Sequence, residues 1–345
     1  MSGNLPVRRF RTPVRQTVGG DLYGLDMTRT SAALGMCFPR TYPAALVKDV
    51  ARRLEGGGAD ELWVIEDCFF TAGPSLVSAA LSVTERLTVG LGIVPAVVRT
   101  AAVTAMEFAT LDALAPGRFL PGIGHGVQEW MDQMGVRPKS PLTALEEVTV
   151  AVNRLLAGEN VTMDGKYVSL RDVKLDAPPA EAPPILLGVR GPKSMALAGR
   201  VAGGVVLAEP ATPSYVRAAF EQAGSPEGFV MAVFSAFCVR SDRKAAYEWT
   251  APWLAGQLEQ KNPALLTVPF YDDLISRYDE SGLPGLISMP QEWWAEIGPI
   301  GTIDDAAAHL DALEAAGVHH IGLFPDPEVE HGLPQLDQVL ELANR

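Results

Sequence analysis

Cysteine is scarce in this chain. Cys37, Cys68 and Cys238 are three in 345 residues, odd in number and far apart, which argues against a disulfide framework. No Cys-x-x-Cys pair or Cys/His ligand spacing appears, so no metal site is expected. A reducing cytoplasm is the expected compartment. Long apolar runs are missing too: none approaches the ~18–20 residues that cross a bilayer. Basic charge is in short supply, with 28 Lys+Arg against 41 Asp+Glu and a net charge of −13. Such a surface repels nucleic acid and anionic membranes, so neither is an expected partner. The one basic run, Arg8, Arg9, Arg11 and Arg15, lies in a polar stretch without the apolar centre of a secretory signal. Residues 1–30 read as a flexible extension, with Met27 as an alternative start.

What the chain does have is a rhythm. Short apolar runs alternate with longer amphipathic ones. Strands are expected at Ala32–Phe38, Leu62–Ile65, Leu87–Val94, Phe119–Ile123, Ile185–Val189, Val205–Leu207, Phe229–Val239 and His320–Phe324. Helical periodicity follows each of the first six strands and the last. The strand runs are apolar without alternation, as strands covered on both faces are. Strand–helix units in this number predict a single α/β domain over residues 31–345, a closed (β/α)8 TIM barrel. Two insertions interrupt it. Residues 161–176 read as a hairpin turning at Asp164-Gly165. Residues 262–300 are Pro-rich and aromatic (Phe270, Tyr271, Tyr278, Trp293, Trp294), which suggests a lid or binding loop that selects the substrate. Thr302 and Asp305 then form a capping pattern for the next helix.

The stretch Ala115 to Gly126 is the most informative. A Pro116-Gly117 turn feeds a strand that ends Gly122-Ile123-Gly124-His125-Gly126. Glycines at a strand's carboxyl end let a flat ligand approach bare backbone. The spacing is not the dinucleotide fingerprint.

On these residues the chain resembles the luciferase-like flavin and deazaflavin oxidoreductases. Leu114 to Phe119 running into Gly122-Ile123-Gly124 carries the likeness, with Pro183 to Gly188, Leu197-Ala198-Gly199, Gly301-Thr302 and Gly317-Val318 in order behind it. Glu146-Glu147 and Leu155 to Glu159 bring it nearer the branch that uses coenzyme F420. The resemblance implies hydride transfer between that deazaflavin and a small organic substrate. Two alternatives are a reduced-FMN monooxygenase of the same fold and a non-catalytic flavin-binding protein. The resemblance also implies a non-prolyl cis peptide at Gly92–Ile93, behind the ring. Self-association is expected, because exposed barrel helices commonly pair.

Barrel enzymes work at the carboxyl ends of their strands, so polar residues there are ranked first. The second strand ends in Glu66-Asp67-Cys68, where family members carry an acid followed by histidine. Asp67, with Glu66 beside it, is the candidate for proton transfer, and Cys68 for substrate contact. His125 is the one histidine at a well-placed strand end, and imidazole suits proton transfer near neutral pH. Gly92, Ile93, Gly124 and Gly126 are candidates for the ring. Gly188-Val189-Arg190-Gly191, then Lys193-Ser194 opening a helix, form a candidate phosphate cradle. Glu209, after the sixth strand, is a candidate substrate contact. His319 and His320 enter the last strand from the opposite face, which reads as stability.

Overall fold

The computed structural model describes residues 31–345, and the extension expected over 1–30 lies outside the described residues. The apolar runs form β1 (Ala33–Phe38), β2 (Glu61–Val64), β3 (Thr88–Pro95) and β4 (Phe119–Gly124). A hairpin of β5 (Val161–Asp164) and β6 (Ser169–Val173) intervenes before β7 (Leu186–Gly188), β8 (Gly204–Leu207) and β9 (Val230–Ala236). Then come β10 (Cys238–Val239), β11 (Ile300–Gly301) and β12 (His320–Phe324). The order β1-β12-β9-β8-β7-β4-β3-β2 closes on itself, and β1 pairs in parallel with both β2 and β12. This is the expected (β/α)8 barrel. The strand ends fall within one residue of expectation except in the seventh strand. The seventh strand leaves the barrel after Ala236, and Cys238–Val239 pairs instead with the returning Ile300–Gly301. Among the described residues no helix is long and apolar enough to cross a membrane.

Large and small residues interlock inside the barrel. Trp63 of β2 and Phe234 of β9 meet edge to face at 5.2 Å and fill the axis. The facing strands give way with glycine. A Cβ on Gly90 would strike the Trp63 ring, one on Gly92 would come within 2.5 Å of Phe234, and one on Gly322 within 2.9 Å of Trp63. Below the rings, Trp63 donates its indole N–H to Glu61 Oε1 (2.7 Å), while Glu61 Oε2 pairs with His320 Nδ1 (2.7 Å). Glu61 is fully buried, so both of its oxygens need these partners.

A second interlock lies nearer the mouth. The Gly92–Ile93 peptide is cis, as the resemblance implied. The Ile93 side chain lies against three glycines. A Cβ on Gly122 would sit 2.8 Å from it, one on Gly124 2.8 Å, and one on Gly188 2.7 Å. The glycines of β4 and β7 thus make room for a neighbouring side chain.

The 262–300 segment is helical, with Tyr271–Ser281, Leu283–Ile287 and Gln291–Ile297 packed on the preceding helix Arg243–Glu259. Its aromatics serve that packing. Trp294 stacks on Tyr247 at 4.8 Å, Trp293 stacks on Phe270 at 4.6 Å, and Trp294 is wholly buried. The expected lid is in this structure a small helical layer with its own core. The layer is tied back to the barrel by His309, on helix Ile303–Ala315, whose Nδ1–H donates to the Ala295 carbonyl (2.7 Å). That helix opens with the expected Thr302/Asp305 capping box.

Two expectations follow from this packing. Gly188→Ala should destabilise by about 1–3 kcal/mol, because an overpacked core has to shift. The penalty should vanish in an Ile93→Ala background, measured as a double-mutant cycle in urea; equal penalties in both backgrounds would contradict the contact. His309 is buried, and burial pushes its pKa down to about 4. Its protonation therefore favours the unfolded chain, where it titrates at about 6.5. The stabilisation is full above about pH 6.5 and is lost by up to roughly 3 kcal/mol as pH falls to about 4. His309→Gln should flatten this part of the pH dependence of the urea midpoint, and an unaltered slope would refute the assignment.

Candidate active site at the barrel mouth

The loops after the strands build the mouth, and each tip places its polar residue differently. Glu66 follows β2. Arg99 clamps it with both guanidinium arms (2.6 and 2.8 Å), and the Gly73 N–H donates to Oε2 (2.8 Å). Both carboxylate oxygens are engaged, so Glu66 welds the β2 loop to the β3 loop. The clamp gives Glu66 a structural part in addition to its place on the lining of the mouth. Asp67, the next residue, takes a single contact from Arg40 Nη1 at 2.8 Å. Arg40 follows β1 and lies over the Phe70 ring at 4.7 Å.

His125 follows β4. Its Nε2 shares a 3.1 Å hydrogen bond with Ser194 Oγ, in the first turn of the helix Pro192–Val201. Burial holds the imidazole's pKa below the ordinary value, and a hydrogen bond to the Pro141 backbone acts in the opposite sense. Gln128 steadies the loop by donating to the His125 and Gly126 carbonyls (3.3 Å each), while its Oε1 is buried without a partner.

Two cavities open here and share Asp67. The first, about 430 Å³, has a floor of Gly92, Ile93, Val206 and Phe234. Its sides include Trp130, Gly188, Val189 and Arg190, and its polar rim is Glu66, Asp67 and His125. The second, about 440 Å³, is walled by Ile65, Phe237, Trp249, Trp253 and Phe324. It carries Arg40, Asp67, Glu209 and Asp326. Neither lining includes a residue of 262–300.

Most of the expected residues converge. Asp67, His125, Gly92, Ile93, Gly126, Gly188, Val189 and Arg190 line the first cavity, and Glu209 lines the second. Gly124 does not line either: it is buried against Ile93 and the Gly188 carbonyl, which corrects its expected contact with a ring. Gly191, Lys193 and Ser194 lie just outside, at the start of the helix Pro192–Val201, and Ser194 reaches the site through His125. Cys68 lines neither cavity, and burial together with Glu66 and Asp67 keeps its thiol protonated. Sequence reading passed over Arg40, Trp249, Trp253 and Phe324. Arg40 and Phe324 stand at strand ends and the same strand-tip rule would have found them, whereas the two tryptophans sit in a helix whose Pro252 masked it.

Comparison with known proteins agrees with this architecture. The chain is 31% identical over 173 residues to the 5,10-methylenetetrahydromethanopterin reductase of Methanolobus tindarius, covering 50% of this chain and 53% of that one. It is 35% identical over 127 residues to the F420-dependent glucose-6-phosphate dehydrogenase of Microbacterium testaceum, covering 36% and 38%. The chain thus spans about half the length, or less, of these two relatives. Among solved structures, the coenzyme F420-dependent tetrahydromethanopterin reductase of Methanopyrus kandleri superposes with a TM-score of 0.73 at 20% identity, over 91% of this chain and 98% of that one. An F420-dependent secondary alcohol dehydrogenase solved with an F420-acetone adduct gives 0.71 at 21%, over 91% and 99%. At these identities the superpositions show the shared fold. Residues 28–320 match the luciferase-like monooxygenase family, and the chain belongs to that family.

Proposed function

We propose that this protein is an oxidoreductase that moves a hydride between coenzyme F420 and a small organic substrate. One of the two named sequence relatives and both superposed structures are named as F420-dependent. The observation in this chain that carries the reading is the first cavity. Its floor of Gly92, Ile93, Val206 and Phe234 is apolar, and its rim carries Asp67, His125 and Arg190. A concave, mostly apolar site with a few polar groups at its edge suits a flat ligand with polar edges, and a tricyclic ring with carbonyl and N–H edges is such a ligand. When bound, the deazaflavin supplies a carbon that gives or takes a hydride as a two-electron step.

The chain's own residues do the rest. Gly92, Ile93 and Phe234 form the surface on which the ring would lie. His125 is neutral near pH 7 and so serves as a hydrogen-bonding group steadied by Ser194. Arg190, with the first turn of the helix Pro192–Val201, offers positive charge and free N–H groups to a phosphodiester. Asp67 stands where the cavities meet, steadied by Arg40, and presents fixed negative charge to the reacting pair. FMN is the alternative ring, and a structural neighbour is an FMN-bound Baeyer–Villiger monooxygenase. The proposal includes a cytoplasmic location and self-association, with the exposed Val103, Met106 and Leu114 face of the helix Ala101–Leu114 as the contact.

Titration of the protein with oxidised deazaflavin and with FMN, followed by absorbance, tests the choice of cofactor. Saturable deazaflavin binding is expected, and tight FMN binding without it would overturn the reading. His125→Asn should weaken deazaflavin binding by about ten-fold or more, the effect of losing a buried hydrogen bond. Because burial lowers the imidazole's pKa, wild-type affinity should stay flat from about pH 7 to 8. Asp67→Asn should lower turnover by about 100-fold and leave cofactor affinity nearly unaltered. Equal loss of both would move Asp67 into the cofactor site.

A further inference from the structure

The second cavity has no task in the cofactor reading, yet its construction is specific. It adjoins the first at Asp67 and faces β1, β2, β9 and β12. Its walls are flat and apolar: Ile65, Phe237 and Phe324 on the barrel side, Trp249 and Trp253 on the helix Arg243–Glu259. Its charged groups are three carboxylates and one arginine. The arginine, Arg40, is already spent on Asp67 at 2.8 Å. Asp326 accepts the Glu328 N–H at 2.9 Å. Arg240 lies at the rim, 5.2 Å above the Trp249 ring, and is not part of the lining.

Glu209 is the carboxyl left free. Its backbone carbonyl is gripped by Arg190 Nη2 and Asn262 Nδ2, 3.2 Å each, so its position is fixed. Its carboxyl makes no side-chain hydrogen bond to another residue among those described. It lines the second cavity together with Asp67, at the barrel mouth. Burial and then Asp67 push its pKa up, while its own backbone N–H and Arg190 oppose them. A carboxyl whose pKa is raised in an apolar setting is suited to give up a proton to a ligand.

Resting on the hydride-transfer reading above, we propose that this second cavity seats a flat, uncharged carbonyl compound and that Glu209 hands its proton to the carbonyl oxygen. The balance is simple. The carbonyl carbon receives the hydride supplied by the reduced deazaflavin, forming a C–H bond as the C=O π bond breaks. The oxygen takes the Glu209 proton, giving an alcohol. Glu209 is left as carboxylate and regains its proton from solvent through the open mouth. Anionic substrates are rejected, because Asp67 and Asp326 face them and the one lining arginine is already paired with Asp67. Phosphorylated sugars, the substrates named for one group of relatives, fall in the rejected class.

Acetophenone and benzoate, alike in size and flatness but differing in charge, test this in the protein with and without deazaflavin. Binding is followed by tryptophan fluorescence, with Trp249→Phe and Trp253→Phe locating the signal. Acetophenone should quench saturably and benzoate should bind at least about ten-fold more weakly, since like charges at close range cost several kcal/mol. Glu209→Gln should keep acetophenone and deazaflavin binding while lowering acetophenone reduction by about 100-fold or more. In the wild type, turnover should fall on the alkaline side as Glu209 loses its proton. Asp67→Asn should move that limb to lower pH, because it removes a like charge. Equal binding of the two probes, no binding of either, or full turnover in Glu209→Gln would each overturn the proposal. Failure of deazaflavin to bind, with probe selectivity intact, would instead strike the cofactor reading and leave the substrate seat standing.

Discussion

The barrel depends on how its axis is filled. A parallel cylinder of eight strands leaves an interior that side chains have to occupy fully, since interiors pack like crystals. Here Trp63 and Phe234 occupy the axis, with Leu120, Leu186 and Val230 packed in the same cluster. Trp63 is anchored from below by Glu61, which is itself held by His320 on the last strand. The two neighbours of β1, β2 and β12, are therefore joined by side chains as well as through β1. The arrangement puts polar bonds at the bottom and aromatic faces at the top. Everything nearer the mouth is built on Phe234 and the glycines that yield to these rings.

The mouth follows a comparable logic in its charges. Adjacent carboxylates on one loop receive different treatment. Glu66 is saturated by Arg99 and Gly73 and ties two loops together, whereas Asp67 keeps an open side toward both cavities. Glu209 has no cation on its carboxyl. One neighbourhood thus holds a locked acid, a steadied anion and a free acid, and burial with local pairing, not residue type, separates them.

Much of this was legible in the sequence, for identifiable reasons. Strands covered on both faces leave unbroken apolar runs, so β12 was found to the residue and β1 within one residue. The strand-tip rule reached Asp67, His125 and Glu209 because it depends only on where a strand stops. The errors arose where meaning depends on a partner distant in sequence. Gly124 reads as bare backbone for a ligand until Ile93, thirty-one positions earlier, is seen to occupy the space. The clamp of Arg99 on Glu66 is likewise invisible in the sequence. The aromatics of 262–300 read as a binding surface because nothing local reveals that Tyr247, upstream, stacks on Trp294. The helix Arg243–Glu259 was obscured by its internal Pro252 and supplies the tryptophan wall.

The grip of Asn262 on the Glu209 carbonyl has a wider meaning. Asn262 is nearly inaccessible, and its amide also holds Gln257, while its Oδ1 receives the Ala264 N–H. It is one of the points at which the accessory helices fasten to the barrel, alongside His309 on the Ala295 carbonyl and the Ser214 N–H on Glu296. A change within those helices can therefore reach the loop that carries Glu209 without touching the rings and glycines that fill the cylinder.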